Sequence, residues 1–113
     1  MPFTFLGRCI LKESIYQGLI IRRLEKEYPG CLVIKNDSGY IQGIPDLLIL
    51  FENRWAMLEV KASEDAPTEA NQPYYVEYLN NMSYAAFIYP ENEDEIFYEL
   101  QLALGARGTA RVS

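Results

Sequence analysis

Three ionic side chains stand where an apolar strand would ordinarily place none. Asp46 opens the run Asp46 to Phe51, and Glu59 and Lys61 close the run Trp55 to Lys61. An ionised carboxylate in such surroundings must be paired, protonated or bound to a cation. Taken singly, each residue has an ordinary explanation: Asp46 after Pro45 suits a turn or strand start, and Glu59 with Lys61 suits an ion pair at a sheet edge. Taken together, and joined by Glu13 at the start of a first helix, they make an oxygen-rich pocket of the kind hard cations prefer. Mg²⁺ takes one or two carboxylates and completes its shell with water and phosphate oxygens. An ion held this way lowers the pKa of a bound water and screens the charge that builds on a phosphodiester under in-line attack. Lys61 would stand beside that water and stabilise or orient it.

Convergence of the three depends on the hairpin between the two runs, because directly opposed residues of an antiparallel pair share a face. A two-residue turn at Asn53-Arg54 sets Asp46 opposite Lys61. A four-residue loop from Phe51 to Arg54 sets Asp46 opposite Glu59. Both gather all three side chains on one face, whereas a three-residue loop without a bulge would send Asp46 to the other face and remove the site.

Composition narrows the chemistry further. The chain has no histidine, which excludes imidazole-relayed nucleophiles, histidine-ligated zinc and histidine bases. Acid and base work falls to carboxylates, lysine or tyrosine. Cys9 and Cys31 are too few and too far apart for a thiolate zinc site or a C-x-x-C pair, and both read as buried free thiols. The net charge of -6 is unevenly spread. Residues 1–61 carry eight Lys/Arg against seven Asp/Glu, and residues 62–113 carry two against nine. Contact with a polyanion is therefore expected from the first half, through Arg8, Lys12, Arg22, Arg23 or Lys35, with Arg107 and Arg111 of the tail.

Gly43-Ile44-Pro45-Asp46, twelve further residues and then Glu59-Val60-Lys61 resemble the signature of the PD-(D/E)XK nuclease superfamily. Within it the chain is most similar to the small VRR-NUC type, found alone in phages and viruses or as a domain of larger repair nucleases, and through it to archaeal Holliday-junction resolvases. The resemblance runs over about residues 11–100. It also takes in Glu13 and Gln17 of the first helix, the turn Asn36 to Gly39, and Gln72 at the opening of a later helix.

The resemblance implies that Asp46, Glu59 and the Val60 carbonyl hold Mg²⁺ or Mn²⁺, with Glu13 completing the metal site directly or through water. Glu25 and Glu27 are its rivals on the same helix. It further implies that Lys61 acts on the attacking water and that Gln72 orients Lys61 or a phosphate. The expected activity is metal-dependent hydrolysis of DNA phosphodiesters by an endonuclease selecting structure, such as junctions, flaps or ends, since no second domain is available to read bases. A homodimer is expected, as in the resolvases, acting in the cytoplasm of a bacterium or phage-infected host. RNA is not separated from DNA by anything in the sequence. A second reading is a non-catalytic interaction protein on the same fold, binding a host or replication protein through the acidic Glu91 to Glu95 stretch.

The elements that must position these residues follow from periodicity. Glu13 to Tyr28 reads as an amphipathic helix carrying Ile15, Leu19, Ile20, Ile21 and Leu24, and Pro29-Gly30 stops it. Cys31 to Lys35 is a first strand, and the two runs of the hairpin read as central strands covered on both faces. After a polar loop from Ser63 to Pro67, a helix runs from about Thr68 or Asn71 to Asn81, with Pro73 tolerable in its first turn. Its Tyr74, Tyr75 and Tyr78 suit core packing better than stacking on bases. Tyr84 to Tyr89 is a fourth strand, and Glu91 to Leu104 a last helix stopped by Gly105.

The expected fold class is therefore α/β, with the restriction-endonuclease-like αβββαβ core, a mixed central sheet flanked by helices, and a C-terminal helix. One domain is expected over residues 1–113, its core at about 11–104 and a flexible tail over 105–113. No run is long enough to span a bilayer, and the start of the chain has no cationic segment or cleavage site typical of a secretory signal.

Overall fold

The computed structural model describes residues 12–105. Cys9, Arg8, Arg107, Arg111 and nearly all of the expected tail lie outside the described residues. The elements are α1 (Glu13–Glu27), β1 (Leu32–Lys35), β2 (Leu47–Phe51), β3 (Arg54–Val60), α2 (Gln72–Met82), β4 (Ala85–Ile88), a single 3-10 turn (Pro90–Asn92) and α3 (Glu93–Leu104). The order matches the expected α/β core, and the boundaries differ from the sequence reading by a few residues. Among the described residues no helix is long and apolar enough to cross a membrane.

The four strands form one mixed sheet in the order β1-β2-β3-β4. β1, β2 and β3 are antiparallel neighbours, and β4 joins β3 in parallel after the α2 crossover. One face of the sheet carries Leu47, Ile49, Ala56, Leu58, Val60 and Ile88, all fully buried. α1 and α3 cover it with Tyr16, Ile20 and Leu24 from the first and Ile96, Phe97, Leu100 and Leu104 from the second. This is the main core, and it holds the strands rigid beneath the site.

The stripe that α1 buries differs from the one its apolar residues suggest. Tyr16, Ile20 and Leu24, each four residues apart, face the core, while Ile15 and Leu19 stay exposed. The phenol explains the choice: the Tyr16 ring enters the core while its hydroxyl donates to Glu93 at 2.9 Å. Arg23 fastens the same junction. It lies 3.9 Å over the Phe97 ring and donates to Glu27 and Glu93 at 2.8 Å each and to Asp94 at 3.1 Å. Cys31 is only partly buried, with its thiol 3.7 Å from the Leu24 carbonyl, and burial raises its pKa.

The opposite face of the sheet is covered unevenly. α2 lies over β3 and β4, burying Leu79 and Ala85. Over β1 and β2, Leu32, Ile34 and Leu50 remain exposed. The expectation that β2 is covered on both faces is thus corrected: its apolar run reflects one buried face and one open one. The expected core packing of α2's tyrosines is corrected for Tyr74 and Tyr78, which are 60% and 48% exposed, while Tyr75 is half-buried. Helical spacing shows that such residues share a stripe but not which way the stripe points.

Candidate active site

The β2–β3 hairpin sets the register. Leu47 opposes Leu58 and Phe51 opposes Arg54, so the register that brings Asp46 opposite Glu59 is the one formed. The loop drawn for it is corrected, since β2 and β3 are joined by two residues, Glu52-Asn53, rather than by four. Glu52 adopts φ 58°, the positive value that tight hairpin turns require at their first central position.

Pro45 explains why the ladder stops where the site begins. Continuing the register by two residues places Pro45 opposite Val60 on the hydrogen-bonding side, and proline has no N–H to donate. Pro45's own carbonyl is taken by the Asn36 amide at 2.9 Å. The freed backbone groups turn to side chains instead. The Val60 N–H donates to Asp46 Oδ2 at 3.0 Å, and the Asp46 N–H donates to Glu59 Oε1 at 3.2 Å. Each carboxylate therefore caps the other strand's backbone, and the Val60 carbonyl faces a residue with no donor.

Lys61 and Gln72 complete a connected network. Lys61 Nζ donates to the Pro67 carbonyl at 2.7 Å and to Gln72 Oε1 at 2.9 Å. Gln72 Nε2 donates to Glu59 Oε2 at 2.7 Å, and its Oε1 also accepts from the Glu69 N–H at 2.9 Å. The amide is thereby held at both ends, and it ties the lysine to the glutamate. Glu59 is 2% and Lys61 7% exposed. Gln72 is the first residue of α2, with Pro73 in the first turn as anticipated.

These side chains line a cleft of about 420 Å³, with Glu13, Ser38, Gly43 and Glu69 around them. Glu13 reaches it from the first turn of α1. Its rivals do not line it, and Glu27 is spent on Arg23. Glu69 is the acid that sequence reasoning missed. It sits in the irregular segment before α2, where no periodicity announces which way a side chain points.

The cleft perturbs its acids strongly. Burial, then the neighbouring Asp46 charge, push the Glu59 carboxyl up to about 8 against an opposing effect of Lys61. Burial also raises Asp46, although the Val60 N–H, Lys61 and a hydrogen bond from Glu59 all favour its ionised form. Glu13 is raised by burial and then by Asp46. Two close carboxylates in a semi-enclosed cleft cannot both ionise cheaply without a cation.

A divalent cation between them would relieve that repulsion. Among the described residues no three acids cluster tightly enough to enclose an ion by themselves. Two hard carboxylates and a carbonyl facing proline nevertheless match the partial protein shell that Mg²⁺ accepts, with water supplying the rest. The donor set fits Mg²⁺ or Mn²⁺ and offers nothing to softer metals.

The cleft's front wall depends on one glycine. Gly43 has φ +94°, and a Cβ there would lie 2.4 Å from Asn71 Cβ and 2.9 Å from the Asn71 carbonyl carbon. Gly43→Ala is expected to push Asn71 away and drag Gln72 with it, costing about 2 kcal/mol of stability. Thermal melts check this. Gln72→Leu keeps the helix but frees Lys61 and Glu59, and is expected to weaken any binding of Mn²⁺ by about 10- to 100-fold, as read from the rise of Tm with Mn²⁺.

An αβββαβ core with a mixed sheet, and an acid pair and lysine on its hairpin, define the class: the chain has the PD-(D/E)XK nuclease fold. No protein-family model matches the sequence, and no curated protein matches it. Among solved structures it is similar to a chain described as "VRR_NUC domain", with TM-score 0.62 and 25% sequence identity over 76% of this chain and 94% of that one. The fold is that of a VRR-NUC nuclease domain, as the motif implied.

Proposed function

We propose that the protein is a Mg²⁺- or Mn²⁺-dependent deoxyribonuclease that cuts DNA endonucleolytically and selects its substrate by structure. The observation carrying this reading is the network in which two raised carboxylates, Asp46 and Glu59, meet a buried lysine at the end of an interrupted strand ladder. Asp46, Glu59 and the Val60 carbonyl would hold the ion, and Glu13 would approach it directly or through water. When bound, the ion supplies Lewis acidity at the phosphate and a more acidic water.

The chain's own groups do the rest. Gln72 holds Lys61 and Glu59 in register, two of the ammonium's three hydrogens being engaged with Pro67 and Gln72. The remaining one is available to a water or a phosphate oxygen. In-line attack by water at phosphorus breaks one P–O ester bond and leaves a phosphate and a free hydroxyl. A homodimer offering two clefts forms part of the proposal, as does action inside a bacterial or phage-infected cell. The exposed Leu32, Ile34 and Leu50 of the open sheet face supply apolar surface for self-association.

A cleavage panel tests the function: supercoiled plasmid, linear duplex, single strand, flap and four-way junction, each with Mg²⁺, Mn²⁺ and chelator. Metal-dependent products from at least one substrate are expected. A panel without products, from protein that also shows no rise in Tm with Mg²⁺ or Mn²⁺, supports the non-catalytic interaction protein instead.

A further inference from the structure

The cleft is poorly equipped to grip a duplex backbone. Among the described residues, Glu13, Asp46, Glu59 and Glu69 line it against one cation, Lys61, which is buried and already engaged. Affinity for double-stranded DNA ordinarily comes from cations replacing counterions around phosphates. A contact that needs no cation would add to the hold on a strand beside this site.

Exposed aromatic rings lie on two segments that border the cleft. Tyr40 is 86% exposed and lies in the segment between Ser38 and Gly43, both of which line the cleft. That segment is firmly built: the Asp37 carbonyl accepts the N–H groups of Tyr40 and Ile41, and Asp37 Oδ1 accepts that of Gly39. It docks on Asn71, whose amide reaches the Gln42 carbonyl at 3.4 Å. Asn71, Tyr74, Tyr75 and Tyr78 then fall at i, i+3, i+4 and i+7, one stripe of the helix. Tyr74 and Tyr78 are stacked, with centroids 5.8 Å apart and planes 9° from parallel, and Tyr75 meets Tyr74 edge-on. Tyr40 beside the cleft and the tyrosine stripe of α2 thus belong to two segments that meet at the Gln42–Asn71 contact.

We propose that Tyr40 and the Tyr74–Tyr78 stack bind unpaired bases of the DNA strand whose phosphate enters the cleft, so that the substrate carries single-stranded nucleotides beside the cut. This rests on the reading of the cleft as the place of cleavage. Every base has a π-face, so stacking holds a strand without reading its sequence and needs no basic groove. A duplex hides those faces and leaves only phosphates to meet an acidic cleft.

The test is binding, measured without cleavage. Fluorescence anisotropy with fluorescein-labelled dT20 and a 20-base-pair duplex, in chelator and at two salt concentrations, is run on the full chain. The single strand is expected to bind at least tenfold tighter than the duplex, with a shallow salt dependence. Tyr40→Ala and the double variant Tyr74→Ala/Tyr78→Ala are each expected to weaken dT20 binding about tenfold with unchanged Tm. Tyr74→Phe/Tyr78→Phe retains it, since the ring and not the hydroxyl stacks.

Equal or tighter duplex binding, no binding to dT20, or alanine variants that bind dT20 like the parent would overturn the proposal. The two readings fail separately. Tyrosine-dependent dT20 binding by a chain that cuts nothing defeats the nuclease and leaves the stacking track. Metal-dependent cleavage that ignores both tyrosine variants defeats the track and leaves the nuclease.

Discussion

Asp46→Asn and Glu59→Gln are expected to lower metal-dependent cleavage by about three orders of magnitude or more while leaving the fold intact. Each removes a hard anionic oxygen from a site built on one buried carboxylate, Glu59, and one half-buried, Asp46, and loss of one fixed transition-state contact already costs about 10² to 10³ in rate. The fold survives because neither side chain contributes to the apolar core on the other face of the sheet. In each variant the side-chain amide oxygen can still accept the backbone N–H that the carboxylate now accepts, that of Val60 in the first and of residue 46 in the second. Circular dichroism, melting curves and cleavage of the best substrate in the panel check all parts together. Undiminished cleavage by both variants rejects the site.

The second large effect is on stability against pH. In the metal-free protein Glu59 keeps its proton up to about pH 8, against an ordinary value of 4.5 for the unfolded chain. Between those two values the folded state binds more protons than the unfolded state, so stability falls as pH rises through the window. The shift corresponds to a loss on the order of 5 kcal/mol, which for a domain of this size lowers Tm by roughly 20 °C. Asp46 and Glu13, also raised, act in the same direction.

A divalent ion bound there would replace the proton and cancel the cost, so Mg²⁺ or Mn²⁺ is expected to stabilise more at pH 8.5 than at pH 5. Glu59→Gln, which has no charge to bury, flattens the curve and melts higher than the parent at alkaline pH in chelator. Such a variant would be more stable and inactive, the exchange expected where function requires an unfavourable charge. A metal-free Tm that is flat from pH 5 to 8.5 contradicts this account.

Much of this architecture was legible in the linear chain because its strongest signals are local. Pro29-Gly30 ends α1, Gly105 ends α3, and the spacing of Asp46, Glu59 and Lys61 on a hairpin marks one face of a sheet whichever of two registers forms. The proline in that motif carries a meaning that only geometry exposes: it removes the donor opposite Val60 and opens the ladder for the two carboxylates. Other features were not legible, for reasons that can be named. Tyr16 displaced Ile15 and Leu19 from the core because its hydroxyl has a partner on α3, 77 residues away. The exposure of Tyr74 and Tyr78 depends on which side of α2 meets the sheet. Glu69 enters the cleft from a segment with no period to read.

The amino-acid sequence by itself determined the element types, the class of fold and the charged trio, since these follow from periodicity, breakers and the cost of placing charge among apolar residues. Tertiary structure alone decided the hairpin register, the acid of α1 that reaches the cleft and the lock of Gln72 on Lys61 and Glu59. It also decided which faces stay open, on β1 and β2 as on α2. Those outcomes depend on how separate elements dock, and docking is settled by the sum of many weak contacts between residues far apart in the chain.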